Sequence, residues 1–344
     1  MEVQWPLVFF TLLTGVGVSA FSCVAVTEWL GVAESIRMPG AVTALAAMAM
    51  GGGFSVLHLS HPFRTHHIPK HLGTGVGKEM LLMGLTGVFV FLYIIMLGAG
   101  FPDQTRVIAA SLGLISGVFL AFEMGAIYIL PARPAWNTWF WPFIYAASAA
   151  ATGLFAMAIW ASLLENRVGE AFVMGIHKAT LISLITLGGS ILAYGIFLAG
   201  APYPEAKRKP GRLLAGDLAV SFWAGVVLSG LAIPIGMTAS VQAAKEAHFF
   251  LTAGVIGLIG TLIGGVSIRA LMYRLGSEAD PILGGAAALG VAARAIALFK
   301  GRRSAFEEVE TPTTSSLWLP PVYRCVHRPR ADQVRPFSPT PPDR

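Results

Sequence analysis

The chain has 344 residues and a net charge of +6; 55% of its residues are hydrophobic and only 12% are charged. Soluble domains carry about a quarter charged residues, so this composition excludes an ordinary soluble domain and predicts an integral membrane protein. In such a protein the positions of the basic residues indicate how the chain is oriented in the membrane and where a partner docks, and no nucleic-acid partner is expected. The two cysteines, Cys23 and Cys325, are too few for an iron–sulfur cluster, which takes about four thiolates.

Apolar runs recur along most of the sequence, each about 20 residues long, which is the length that crosses about 30 Å of hydrocarbon as a helix. They cover residues 5–27, 41–57, 80–97, 107–130, 143–164, 171–199, 218–241 and 249–273. The first run lacks a basic segment before it and is longer than a signal-peptide core, so we expect a retained helix. The sequence therefore predicts an all-α fold, an integral membrane bundle of eight transmembrane helices within a domain spanning residues 1–275.

The remaining residues have a different composition. Residues 276–300 are rich in Gly and Ala and are interrupted by Arg294, so we expect a short interfacial or frayed helix, with its apolar part at 282–299. The tail, residues 301–344, is rich in Pro, Ser, Thr and Arg and is predicted to be disordered.

An even number of spans places the N-terminus, the loop after the second helix and the basic segment 205–212 on the same membrane face. The positive-inside rule predicts that this face is cytoplasmic. A second interpretation stays open, because a basic loop also suits docking of an acidic partner.

Five of the eight histidines lie in one polar stretch, residues 55–79, between the second and third apolar runs. His58 ends the second run and Glu79 begins the third, so both emerge in the same boundary layer. An imidazole there accepts a hydrogen bond or a proton. The plainer interpretations are that His58 anchors a helix end and that Glu79 caps a helix dipole.

Three further polar residues lie in or beside apolar runs. Glu123 gives the clearest indication of a functional site, because a carboxylate within hydrocarbon is costly and usually faces a cavity or a partner. The alternative is that Glu123 makes a buried structural hydrogen bond. Arg269 and Tyr273 lie one turn apart on the eighth helix, where we expect Arg269 to extend toward the interface. The tryptophans at 136, 139 and 141 are typical of the headgroup level.

Histidines also raise the question of a metal or haem site. Of the loop histidines, only His67 and His71 have the spacing of a helical ligand pair, and Pro62 and Pro69 favour a loop. The haem alternative needs paired histidines at matching depths, whereas His58, His177 and His248 each lie near the end of an apolar run. The sequence predicts neither a metal site nor a haem.

The segment His58-Leu59-Ser60-His61-Pro62-Phe63-Arg64 resembles the His-Leu-Gly-x-Pro-x-Arg segment of the DmsC-type membrane anchor subunit of dimethyl sulfoxide reductase. The opening residues 5–10, the Lys78-Glu79 pair and the number of apolar runs are also similar. The resemblance covers about residues 2–274. The sequence departs from the family pattern at His61, where a small residue is usual, and in the longer loop up to His71.

This resemblance implies a multi-pass protein of the prokaryotic inner membrane that oxidises menaquinol without haem and acts in anaerobic respiration. In the family, electrons pass to an iron–sulfur subunit and then to a molybdopterin catalytic subunit. By residue, it implies that His58 takes a proton from the quinol and that Glu79 relays protons outward. Arg64 would hold the loop or the partner, and Glu123 and Tyr128 would line the quinol pocket.

Two alternatives stay open at this point. A secondary transporter would also place ionisable residues inside a helical bundle, although no internal repeat with paired broken helices is evident. A structural anchor without a quinone site would need only the helices and the docking loops.

Overall fold

In the computed structural model, the described residues are 2–58, 73–131, 133–202, 204–244 and 247–276, with the backbone alone at 58, 204–205, 244 and 247–248. Their helices are α1 (Trp5–Leu30), α2 (Arg37–His58), α3 (Gly75–Gly98), α4 (Asp103–Ala126), α5 (Phe140–Leu163), α6 (Glu165–Val168), α7 (Glu170–Gly200), α8 (Pro204–Lys207), α9 (Lys209–Leu214), α10 (Ile233–Ala244) and α11 (Ala247–Leu275). A 3-10 turn at Glu34–Ile36 precedes α2, and a π-helical segment at Ser221–Ala232 precedes α10.

Eight helices in the described part of the protein are long and apolar enough to cross a membrane, so the predicted all-α membrane bundle is confirmed. The seventh span consists of the π-helical segment followed by α10. The predictions for residues 277–300, for the tail 301–344 and for the loop from His61 to His71 lie outside the described residues.

The third span begins earlier than the sequence predicts, at Gly75 rather than near residue 80. Thr74 is its N-cap, because its hydroxyl oxygen accepts a hydrogen bond from the Gly77 amide at 3.1 Å. Glu79 therefore lies in the second turn of α3 and does not cap the helix. The capping interpretation of Glu79 is wrong, and its burial needs another explanation.

The spans pack as two groups of four. Helices α1 to α4 form one group; α5, α7, the π-helical segment with α10, and α11 form the other. Helix α1 lies at the junction of the two groups and contacts α5 and α11. Its close approach to α5 uses small residues, since Gly153 abuts Ser19, whose hydroxyl donates to the Ala150 carbonyl at 3.1 Å.

The seventh span changes its hydrogen-bonding pattern just before Pro234. A proline has no amide hydrogen and its ring collides with the carbonyl of the residue four positions earlier, so a regular α-helix cannot continue through this point. The segment Ser221–Ala232 is π-helical, and α10 starts at Ile233 with Pro234 in its first turn. The hydrogen bond that Pro234 cannot make therefore coincides with a change of helix type within a continuous span.

An ion-pair network closes the first group of helices at the end where α1 and α3 finish. Glu28, at the end of α1, accepts from the Tyr93 hydroxyl at 2.7 Å, from Arg37 Nη1 at 2.9 Å and from Arg106 Nε at 3.0 Å. Arg106 also pairs with Asp103. One carboxylate thus joins four helices inside the membrane boundary, an arrangement that sequence reasoning did not anticipate.

Candidate functional site

Polar side chains converge at the other end of the bundle, where α2 ends and α3 begins. Glu79 on α3 is only 4% exposed, and its Oε1 atom has no hydrogen-bond partner in the part of the protein that the structure describes. The start of α3 lies against the turn after α4, because Gly75 approaches Ile127 closely. Glu79 lies about one turn further along α3, within electrostatic range of the Tyr128 phenol.

Three buried tyrosines surround this position. The hydroxyl oxygens of Tyr128 and Tyr273 are 2.9 Å apart, and the ring of Tyr128 lies 5.8 Å from that of Tyr145. Burial raises the pKa of the Tyr128 phenol well above its ordinary value, and Tyr145, Tyr273 and Glu79 raise it further. Tyr128 therefore stays protonated and can donate a hydrogen bond.

Arg269 on α11 lies behind the tyrosines. Its guanidinium is 4.6 Å from the Tyr145 ring centroid, and its Nε donates to the Thr11 hydroxyl at 2.8 Å. Its Nη1 donates to the Gly265 carbonyl at 3.1 Å. The residue is 1% exposed, so the prediction that Arg269 extends to the interface is wrong. The cation points into the bundle, where hydrogen bonds and an aromatic face replace water.

Trp136, in the connection between α4 and α5, packs against the group formed by Glu79, Tyr128, Tyr145, Arg269 and Tyr273, here called the Glu79 cluster. Its indole Nε1 donates to the Met272 carbonyl at 2.8 Å, and its ring meets those of Tyr128 and Tyr273 edge-on. The three tryptophans predicted at the headgroup level lie between the end of α4 and the first turn of α5, where Trp139 is exposed and Trp136 and Trp141 are buried inside the protein. Their buried rings fix the positions of the tyrosines.

Glu123 lies in the last turn of α4 and is partly buried. Its carboxylate interacts electrostatically with Glu79, so the structure brings two of the predicted acidic residues to the same region. The start of α3 and the end of α4 thus carry two acidic side chains within electrostatic range of each other.

Three of the predicted site residues, Glu79, Glu123 and Tyr128, lie in the same region. His58 ends α2 on the same membrane face, with its side chain outside the described residues, and Arg64 lies wholly outside them. His177, a candidate only as a haem ligand, is near the start of α7, between the rings of Phe155 and Phe250.

Sequence reasoning missed Tyr145 and the inward direction of Arg269. Tyr145 sits in the apolar run of α5, where a single tyrosine gives no signal. Arg269 did give a signal in the sequence, because it shares one face of α11 with Tyr273 and with the apolar Met272, which is buried in the structure. Only the packing of α11 against α1 and α5 decides that this face turns inward.

Comparison with known proteins identifies relatives of this protein. Residues 1–269 match the family model described as polysulphide reductase, NrfD. The sequence is also 24% identical over 267 residues to the C subunit of the polysulfide reductase of Wolinella succinogenes, an alignment that covers 67% of this protein and 81% of the relative. The family match covers the eight-helix bundle up to Arg269.

Proposed function

Since the protein belongs to the polysulphide reductase NrfD family, we propose that it is the quinol-oxidising membrane subunit of a respiratory molybdoenzyme complex. Its multi-pass architecture places it in the prokaryotic inner membrane. The substrate is a membrane-soluble quinol, of which menaquinol is the one that the DmsC-type resemblance implies. The electrons leave for an iron–sulfur partner subunit, and the molybdopterin subunit reduces the terminal acceptor.

The observation that best supports this proposal is that Glu79 is buried while one of its carboxyl oxygens has no hydrogen-bond partner among the described residues. A carboxyl group buried at the membrane boundary is costly unless its oxygens are used. The hydroxyl of a quinol supplies the missing donor. The neighbouring Tyr128 hydroxyl then donates to the other oxygen on the ring as it becomes a carbonyl.

The proposed reaction removes two electrons and two protons from the quinol and leaves a quinone. His58, at the end of α2, accepts one proton, and Glu79 accepts the other as the ring is oxidised. Glu123, beside Glu79, is placed to receive that proton and pass it toward the aqueous face. Arg269 favours transient negative charge in the cluster, because its own contacts in the described structure are neutral groups.

The partners follow from the redox balance. The two cysteines cannot ligate a cluster alone, so the electrons must pass to another polypeptide. The relative is named as a component of a polysulfide reductase, which supports a sulfur compound as terminal acceptor, whereas the DmsC-type resemblance supports a sulfoxide. The catalytic partner makes that choice, and the proposed quinol site serves either acceptor.

The proposal is tested with the complex in native membranes. We expect Glu79→Gln, Tyr128→Phe and His58→Ala each to lower quinol-dependent reduction by about 100-fold or more, the usual contribution of a positioned acid or base. Reduction driven by a soluble artificial donor, which delivers electrons directly to the partner subunits, should be unchanged. Tyr194→Phe is the matched control, because Tyr194 is also buried but donates to the Ala135 carbonyl outside the cluster.

Wild-type quinol turnover in Glu79→Gln would contradict the proposal. Loss of both activities together would instead indicate a structural anchor whose assembly had failed. Substrate flux into vesicles that lack the redox partners would favour a transporter.

A further inference from the structure

The second group of helices encloses a cavity that the proposed quinol site does not use. It has a volume of about 410 Å³ and lies between α5, α7, α9, the π-helical segment and α11. Its lining is apolar throughout, with Ile144 on α5, Ile268 and Leu271 on α11, and Val226 and Leu231 on the seventh span. Volumes of this size fall within the range of ligand-binding pockets, about 300–1,000 Å³.

The cavity follows α7 over about three turns. On α7 its lining runs from Gly188 to Ala199, which corresponds to about 16 Å of helix. This length is close to half of the roughly 30 Å hydrocarbon core, the depth of a single leaflet. The cavity opens toward lipid, since Ile196 and Leu214 line it and are 65% and 53% exposed. Its shape therefore suits one extended hydrocarbon tail entering from the bilayer.

A wall of two helices separates this cavity from the quinol site. On α5, Ile144 faces the cavity while the adjacent Tyr145 faces Tyr128 and Arg269. On α11, Ile268 and Leu271 face the cavity while Arg269 and Tyr273 face the cluster. Since α5 and α11 pack directly against each other, a quinol bound at Glu79 cannot thread its tail into the cavity between them.

Exposed basic residues flank the end of the cavity at the membrane boundary, where the described carboxylate of Asp217 is paired with Arg212 and lies within electrostatic range of Arg274. Pro210, Leu213 and Leu214 of α9 form the upper wall; Lys207 and Arg208 immediately precede α9 and are exposed. Arg274 is exposed at the end of α11, next to Leu275 in the lining. Trp223, half-exposed, holds the rim together, because its indole donates to the Leu214 carbonyl at 3.0 Å.

From this combination we propose that the cavity is a binding site for one anionic glycerophospholipid. One acyl tail fills the apolar cavity, and the phosphate group rests against Lys207 and Arg208 with Arg274 nearby. An apolar slot of single-leaflet depth under a cluster of exposed cations matches both halves of such a lipid. This site is independent of the quinol chemistry and lies on the opposite side of the α5–α11 wall.

Lipid retention by the purified complex tests the site. The complex is reconstituted in equal amounts of phosphatidylglycerol and phosphatidylcholine with identical acyl tails, returned to detergent, and analysed by native mass spectrometry. We expect one retained lipid, with phosphatidylglycerol favoured over phosphatidylcholine by about fivefold or more, because each basic residue near the membrane surface contributes about fivefold. Equal retention of the two lipids would overturn the assignment.

Two variants test separately the binding of the acyl tail in the cavity and the binding of the headgroup by the basic residues. Gly195→Leu projects a side chain into the cavity, where a Cβ meets no atom within 4 Å, and should abolish retention of both lipids. Lys207→Gln combined with Arg208→Gln should lower the preference for phosphatidylglycerol by about fivefold or more while the acyl tail still enters.

Each variant has a matched control elsewhere in the protein. Gly189→Leu makes the same change on α7 at an exposed position outside the lining, and Arg167→Gln with Lys178→Gln removes two exposed charges at the opposite membrane face. Both should retain the lipid as the wild type does. Loss of retention in either control, unchanged retention in Gly195→Leu, or a quinone retained in place of the phospholipid would each refute the site.

Discussion

Glu28 and Glu79 are both carboxylates buried inside the bundle, yet their surroundings differ in kind. Glu28 accepts from two guanidinium groups and a tyrosine hydroxyl, so its charge is compensated within the protein. Glu79 keeps an oxygen without a partner among the described residues and lies beside Tyr128 and Glu123. The first arrangement is that of a structural residue, and the second is the one on which the proposed quinol site rests.

This difference predicts that a Glu→Gln substitution affects stability at position 28 but not at position 79. Glu28→Gln should lower the free energy of unfolding by about 3–5 kcal/mol, because the buried guanidinium group of Arg37 loses the carboxylate with which it pairs and that of Arg106 keeps only Asp103. Glu79→Gln breaks no ion pair seen in the described structure and should leave stability close to that of the wild type. Unfolding in mixed micelles with increasing SDS measures both values; equal destabilisation by the two substitutions would contradict this account.

At the scale of the element, the seventh span depends on a close crossing with α11. A Cβ added at Gly230 would lie 2.8 Å from Gly264 Cα, and one added at Gly264 would also collide with Gly230. Nearby, the Ser229 hydroxyl donates to the Ala224 carbonyl at 2.8 Å, five residues earlier. The π-helical segment therefore lies backbone to backbone against α11, an approach that only glycine permits.

Gly264→Ala should accordingly destabilise the protein by about 1–3 kcal/mol through overpacking, despite the better helix propensity of alanine. Gly236→Ala on α10 is the control, because a Cβ there meets no atom within 4 Å, and it should be neutral or slightly stabilising. The same SDS unfolding measurement compares the two. A neutral Gly264→Ala would show that the crossing is looser than the structure indicates.

At the scale of the whole molecule, the eight spans place the start of α1, the Glu79 cluster and the α8–α9 segment on one face, with α6 and the Glu28 network on the other. Lys207 and Arg208 are exposed on the first face. The positive-inside rule predicts that this face is cytoplasmic.

Single cysteines at Lys207 and at Arg167, introduced after replacing Cys23 and Cys325 by serine, test this orientation. In intact spheroplasts, a membrane-impermeant maleimide should label the cysteine at 167 and should reach the one at 207 only after the membrane is opened. The reverse pattern would mean that the basic segment docks a partner on the outer face, which is the interpretation that the sequence left open. Labelling of both cysteines in intact spheroplasts would contradict a membrane crossing by α7, the span between them.

The sequence by itself determined the number of spans and brought Glu79, Tyr128 and the end of α2 to one face. Backbone groups must be satisfied within each helix in hydrocarbon, so a run of about 20 apolar residues spans the membrane whatever its neighbours are. The helix ends were less certain: Thr74 starts α3 ahead of the apolar run, and Tyr128 lies in the turn after α4 rather than inside the helix.

Only the tertiary structure decided how each helix is rotated about its axis. Helices such as α5, α7 and α11 are apolar on almost every side, so their sequences do not determine which face turns inward. Packing alone turns Arg269 toward Tyr145, joins Glu28 to Arg106 across a separation of 78 residues and leaves the apolar cavity between α7 and the π-helical segment. These rotations depend on which small residues meet at each crossing, and that is a property of pairs of helices rather than of any one segment.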